Sequence, residues 1–263
     1  MTELPSGPRG RLLSLDLWHT LVYLEPDAEE AYMRAQVDLA ETVLAAAPVS
    51  GGGERSSREG LRTAFEAVYA AAVAASQEGR SVPPSVQILL AGARTGTLPD
   101  PQTYVDGLRA LVARTEFRPA PDALEVVRAL HDEGWATAVV SNTVGEPGEA
   151  LRPVVHRMGL DGVVDAWVFS DEGEWTKPSP QIFREALDRL GVGPAQTVHV
   201  GDGWVDIEGA RRAGLRAGVL YTGLQRYGRR YRELFLPEGW SEPEADYRFR
   251  SWPELPAVLA RIR

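Results

Sequence analysis

The 263-residue sequence predicts an α/β fold, a doubly wound parallel sheet with an all-helical block inserted after its first strand. Three observations predict it. From Pro119 onward, apolar strands alternate with amphipathic helices, the pattern of a parallel sheet covered on both faces. Near the N-terminus, Leu12-Leu13-Ser14-Leu15 is an apolar run that ends in Asp16. Between about Glu25 and Arg118 only helical stripes and loops occur, so the first strand belongs with the later sheet.

In chain order, residues 1–10 are rich in proline and glycine and read as a loose terminus. Residues 11–16 form the first strand. Residues 31–47 carry Tyr32, Ala35, Leu39 and Val43 on one helical face. Residues 48–57 hold Gly51-Gly52-Gly53 and read as a loop. Residues 58–77 form a second helix with Leu61, Phe65, Val68 and Ala72 inward; residues 83–90 a shorter third, opened by Pro83-Pro84; residues 101–115 a fourth. These stripes are ordinary packing faces.

The alternating part follows. Helices are expected at residues 121–133, 149–158, 180–190 and 206–213, each followed by a glycine. Strands are expected at 135–140, 163–169, 197–200 and 216–221. Residues 224–241 are polar and cluster Arg226, Arg229, Arg230 and Arg232, which read as a solvated face. An edge strand at 245–249 and a closing helix at 253–262 complete the chain.

Composition narrows the function. The net charge of −9 argues against nucleic acid and against an anionic membrane surface. No apolar run is long enough to span a bilayer, and residues 1–11 lack the apolar centre of a secretory signal, so a cytoplasmic location is expected. The absence of cysteine excludes disulfides, thiol chemistry and thiolate metal sites. Every basic residue except Lys177 is arginine, and Asn142 is the only asparagine. Arginine replaces lysine on a solvated surface but not as a compact point charge in a tight site, so Lys177 marks a site.

In an open parallel sheet, ligands bind outside the carboxyl ends of the strands. Those ends carry Asp16, Ser141-Asn142, the loop 171–177 with Lys177, and Asp202 with Asp206 four residues on. Each has a bland reading as well: Asp16, Ser141, Asp202 and Asp206 are all residue types that cap helices. Gathered together, they offer carboxylates, a hydroxyl and one ammonium. Clustered carboxylates repel unless a cation is present, and this oxygen set suits Mg²⁺. A hydroxyl with a lysine suits a phosphate. A phosphate held beside a carboxylate allows attack by Asp16 and an aspartyl-phosphate that water then hydrolyses.

Four stretches carry a resemblance: Leu15-Asp16-Leu17-Trp18-His19-Thr20-Leu21, Val139-Val140-Ser141-Asn142, Lys177-Pro178-Ser179-Pro180, and Val200-Gly201-Asp202-Gly203-Trp204-Val205-Asp206. In this order they resemble the haloacid dehalogenase superfamily with a helical cap inserted after the first motif. The resemblance implies a Rossmann-like core at residues 1–22 and 116–263 and a cap at 23–115. It implies Asp16 as nucleophile, with Ser141, Asn142 and Lys177 around the transferring group. It implies Mg²⁺ held by Asp16, Asp202 and Asp206 with the backbone carbonyl of Trp18.

One position departs. The family's phosphatases usually carry a second aspartate two residues after the nucleophile, to protonate the leaving group. Here that residue is Trp18, and a lost acid–base group costs about 10²–10⁴ in rate. The expected function is a Mg²⁺-dependent phosphohydrolase of a small phosphorylated metabolite, with a good leaving group or a proton from His19 or the cap, and with Trp18 walling the substrate pocket. The alternatives are a metal-independent 2-haloacid dehalogenase, a branch that often has an aromatic there but usually lacks the Gly201-Asp202 pair, and a phosphate-binding protein of low activity. A phosphonate-cleaving branch is excluded because the cap has no lysine. Assembly as a homodimer stays open.

Overall fold

The computed structural model describes residues 10–52, 54, 56–160, 162–224 and 244–262. Six strands form one parallel sheet in the order β5-β4-β1-β6-β7-β8. They are β1 (Leu12–Leu15), β4 (Ala136–Ser141), β5 (Ala166–Phe169), β6 (Thr197–Gly201), β7 (Ala217–Tyr221) and β8 (Tyr247–Phe249). β1 lies in the centre, so the chain winds outward from it in both directions. The crevice beside its carboxyl end is the topological switch point, where such sheets bind ligands.

Successive residues of β1 serve opposite faces. Leu13 and Leu15 join Val139, Val200 and Val219 in one apolar layer, under α5 (Ala123–Asp132), α6 (Gly148–Val155) and α9 (Leu255–Arg261). Leu12 joins Ala138, Val140 and Val168 in the other, under α7 (Pro180–Leu190), whose Ile182, Phe183 and Leu187 face the sheet. α8 (Trp204–Arg212) follows β6 on that same side, with Gly209 against Phe183.

Four helices lie between β1 and β4: α1 (Pro26–Ala46), α2 (Arg58–Gln77), α3 (Pro84–Thr95) and α4 (Pro101–Arg114). They bury a core of their own, in which Leu44, Leu61, Phe65, Ile88, Tyr104 and Leu108 meet. The two chain crossings into and out of this block pair as a short antiparallel ribbon, β2 (Val22–Tyr23) with β3 (Arg118–Pro119). The block closes onto the sheet through Gln87 Nε2, which donates to the Val144 carbonyl at 2.7 Å, and through the Ser81 amide, which donates to the Glu174 carbonyl at 3.0 Å.

The expected alternation holds, and the boundaries shift for local reasons. α1 begins at Pro26, five residues before the apolar stripe, because proline at the first helical position has its φ preset and Asp27 and Glu29 favour a helix start. α3 runs on to Thr95 and stops at Gly96, in the left-handed region at φ 68°. α6 carries Pro153 and widens after Val155 into a π-turn, His156–Leu160, which ends the expected α-helix early. α8 starts two residues early because Asp206 Oδ2 accepts from the Gly203 amide at 2.9 Å and closes its first turn. β5 starts at Ala166, three residues late, and the closing helix begins as a 3₁₀ turn at Trp252–Glu254. The ribbon of β2 and β3 was not legible, since two residues carry no periodicity. The arginine cluster Arg226–Arg232 lies outside the described residues. Among those described, no helix is long and apolar enough to cross a membrane.

Candidate active site

Asp16 is the first residue past β1, and its amide donates to the Val200 carbonyl of β6 at 2.9 Å, which fixes the turn at the sheet's edge. Its two carboxylate oxygens are both engaged. Thr20 Oγ1 donates to Oδ2 at 3.2 Å and Lys177 Nζ to Oδ1 at 2.5 Å. Lys177 is 1% exposed and also donates to Asp206 Oδ1 at 2.7 Å. The lone lysine thus bridges two buried carboxylates, a geometry for a compact ammonium rather than a planar fork.

Below this bridge runs a chain of hydrogen bonds. Asp206 Oδ1 also accepts from His199 Nε2 at 3.1 Å. An ionised carboxylate only accepts, so Nε2 carries the proton, and Nδ1 accepts from Ser14 Oγ at 2.9 Å. Burial holds His199 below the usual histidine pKa, despite the pull of Asp206. Gly201 makes this packing feasible: a Cβ there would stand 2.2 Å from Asp206 Cγ.

The charges divide unevenly. Burial raises Asp16 to about pKa 6, with Lys177 opposing and Asp206 assisting the rise. Burial pushes Asp206 the same way, but Lys177 and His199 overcome it and hold Asp206 well below the usual carboxylate range. Burial works against the Lys177 ammonium, yet its two carboxylates leave it above the ordinary lysine value. Asp202, half-buried past β6, completes a group of three acids; one oxygen each from Asp16, Asp202 and Asp206 lie within 4.8 Å of one another.

Ser141 ends β4, and its hydroxyl is buried with no hydrogen-bond partner among the described residues. Asn142 follows, and both ends of its amide are taken by the backbone of Lys177: Nδ2 donates to the carbonyl at 3.0 Å and Oδ1 accepts from the amide at 2.8 Å. Asn142 thus braces the lysine loop rather than pointing an open amide outward.

A second polar group stands beside the first. Trp18 packs on Tyr32 and edge-on against Phe117, with ring centroids 6.1 and 5.4 Å away. Its indole Nε1 donates to Glu146 Oε1 at 2.9 Å, and Gln36 Nε2 donates to Glu146 Oε2 at 3.2 Å. Burial raises Glu146 to about pKa 7, against those two donors. His19 is in the left-handed region at φ 55°, and its Nε2 donates to Glu29 of α1 at 3.2 Å.

The family profile of haloacid dehalogenase-like hydrolases matches residues 11–214, across all four motif stretches. The chain belongs to that family. The haloacid dehalogenase-like chain is 32% identical over 137 residues to pyrophosphatase PpaX of Halalkalibacterium halodurans, covering 52% of this chain and 58% of that protein. It is 33% identical over 106 residues to (S)-2-haloacid dehalogenase 4A of Burkholderia cepacia, covering 40% and 45%. It therefore spans about half the length of these curated relatives. The crystal structure of a HAD phosphatase from Thermococcus onnurineus shares the fold, with TM-score 0.62 at 21% identity over 95% of this chain and 97% of that one.

All the acids and the lysine expected for a hydrolase site of this family come together, with Ser141 and Asn142 at the neighbouring strand end. Glu146 and Gln36 were missed as parts of this arrangement. Gln36 left a signal: it interrupts the apolar stripe of α1 between Tyr32 and Ala40, and it is buried. Glu146 left none, because a single acid in a loop matches the composition of any loop.

Proposed function

We propose that this haloacid dehalogenase-like hydrolase is a Mg²⁺-dependent phosphohydrolase of a small phosphorylated metabolite, acting through an aspartyl-phosphate on Asp16. The observation that carries the reading is the sharing of one ammonium by Asp16 and Asp206 with a third acid in reach. Three carboxylates against one lysine leave the site net negative. A dication with oxygen ligands corrects it, so the residues fit Mg²⁺. Asp16, Asp202 and the Trp18 carbonyl would hold the ion. Asp206 adds charge, since its oxygens already serve Lys177, His199 and the Gly203 amide. Bound there, Mg²⁺ supplies Lewis-acid neutralisation of the phosphoryl oxygens.

The side chains then have distinct tasks. An oxygen of Asp16 attacks phosphorus, the bond to the leaving oxygen breaks, and an acyl phosphate forms. Water attacks that phosphorus in turn, releasing phosphate and restoring the carboxylate. The unpartnered Ser141 hydroxyl donates to a phosphoryl oxygen, and Lys177 offsets its charge. Asn142 keeps Lys177 in place. Trp18 transfers no proton, so kcat/KM should fall steeply as the leaving group becomes more basic. The four helices of residues 23–115 serve as a cap that excludes water, hinged at the ribbon of β2 and β3.

A second reading has one observation in its favour. The aromatic Trp18 at the position of the missing acid fits a 2-haloacid dehalogenase, and two relatives bear that name. The two readings separate in one experiment: phosphate release from a metabolite panel with Mg²⁺ or chelator, alongside chloride release from 2-chloropropionate. Metal-dependent phosphate release, lost in Asp16→Asn, supports the proposal. Chelator-insensitive chloride release overturns it.

A further inference from the structure

Glu146, Gln36 and Tyr32 are polar groups buried beside Trp18 that the phosphoryl-transfer steps leave unused. Together with Trp18, Glu29 and Tyr69 they line a small pocket between α1 and the loop after β4. Met33, Gln36 and Tyr69 also line a separate groove of about 400 Å³ between α1 and α2. Among the described residues the buried Tyr32 hydroxyl completes no hydrogen bond, although Gln36 and Glu146 are close enough to bear on its titration. A buried hydroxyl without a partner destabilises the fold unless something else satisfies it. Glu146 accepts one hydrogen bond at each oxygen, and a carboxylate has about four acceptor positions in all.

The chemistry of the lining selects the guest. Its described residues include two carboxylates, Glu29 and Glu146, and neither lysine nor arginine. Three aromatic rings, Trp18, Tyr32 and Tyr69, stand around them. An anion would face two acids. A purely apolar group would leave the Tyr32 hydroxyl and the remaining Glu146 acceptors unsatisfied. An ammonium satisfies both the acceptors and the ring faces. The pocket is walled by Trp18, two residues along the chain from Asp16. An ammonium close to the leaving oxygen lowers that oxygen's basicity, which eases departure at a site with no acid at this position.

We infer that the pocket of Trp18, Tyr32, Gln36 and Glu146 is the subsite for a cationic leaving group, and that the substrate is the phosphate ester of a small amino alcohol. The ester half of this inference rests on the phosphohydrolase reading. The ammonium half is tested by binding as well as by turnover.

The turnover test compares kcat/KM for O-phosphoethanolamine with that for its near-isosteres 2-hydroxyethyl phosphate and propyl phosphate, in Mg²⁺. The wild-type protein should prefer the amine by about 10–100-fold, and Glu146→Gln should bring the ratio towards one, the scale of one charge-assisted contact. Tyr32→Phe should shift the ratio the same way by less. A ratio near one in the wild type, or a ratio unchanged in Glu146→Gln while all rates fall together, overturns the subsite. The binding test uses calorimetric titration of Asp16→Asn with the same three esters. An amine preference in this binding, with no phosphate release from any of the esters by the wild-type protein, overturns the phosphohydrolase reading and supports the subsite. Equal affinity for all three overturns the subsite whatever the turnover.

Discussion

One ammonium shared by two buried carboxylates governs the site at the scale of single residues. Lys177→Arg keeps the charge but replaces a point donor 2.5 and 2.7 Å from two acids by a planar fork. It should lower turnover by at least about 10²-fold, measured as kcat at saturating substrate, because small misplacements at a reacting centre cost that much. The lysine was legible in the sequence for a physical reason: a chain that uses arginine everywhere else retained it where only a compact cation fits. Glu146 was not legible, because its burial arises from packing between α1 and the loop after β4, which no local pattern reports. That burial has a measurable consequence. The folded pKa of about 7 lies above the unfolded value of 4.5, so Glu146 favours the fold most below pH 4.5, and that contribution is lost as pH rises through 7. Glu146→Gln should therefore flatten the fall in stability between those pH values, by up to about 3 kcal/mol, read as the change in denaturation midpoint across a pH series.

At the scale of elements, the carboxyl ends of β1, β4 and β6 deliver Asp16, Ser141 and Asp202 to one crevice, and sheet order alone guarantees that convergence. The parallel direction of the strands followed from the alternation of strands and helices, so the end of the sheet that holds the site was readable before its geometry. What sequence pattern did not carry was contact between elements. Gly201 is an example. In the sequence it is one half of the Gly201-Asp202 pair, yet in the fold its α-carbon is the floor on which the Asp206 carboxylate rests. Gly201→Ala would place a methyl 2.2 Å from Asp206 Cγ and force the carboxylate away from Lys177 and His199. It should cost about 1–3 kcal/mol in stability, the usual scale of overpacking, and should lower kcat more than it raises KM. The helix boundaries that moved did so at prolines and glycines, where backbone geometry outweighs the apolar stripe. The ribbon of β2 and β3 escaped notice because its pairing depends on the helical block bringing Tyr23 and Arg118 together.

For the whole molecule, ligand binding and folding are linked through the acid cluster. Mg²⁺ at a hundred times its dissociation constant should stabilise the native state by about 2.7 kcal/mol, read as a rise in Tm, and Asp202→Ala should remove most of that rise. The packing of the helical block on the sheet, through Gln36, Ser81 and Gln87, brings Trp18 and Glu146 against α1 and encloses the buried Asp16. The central claim is that Asp16 itself takes up the phosphoryl group inside that enclosure. Mass spectrometry of the Asp16 peptide, after acid quench of the protein turning over its best phosphate ester in Mg²⁺, tests it most directly. The account predicts a peptide heavier by one phosphoryl group, absent from Asp16→Asn and from chelated samples. An unmodified peptide during steady turnover would contradict it, as would a carboxyalkyl ester on Asp16 formed from a 2-haloacid without metal.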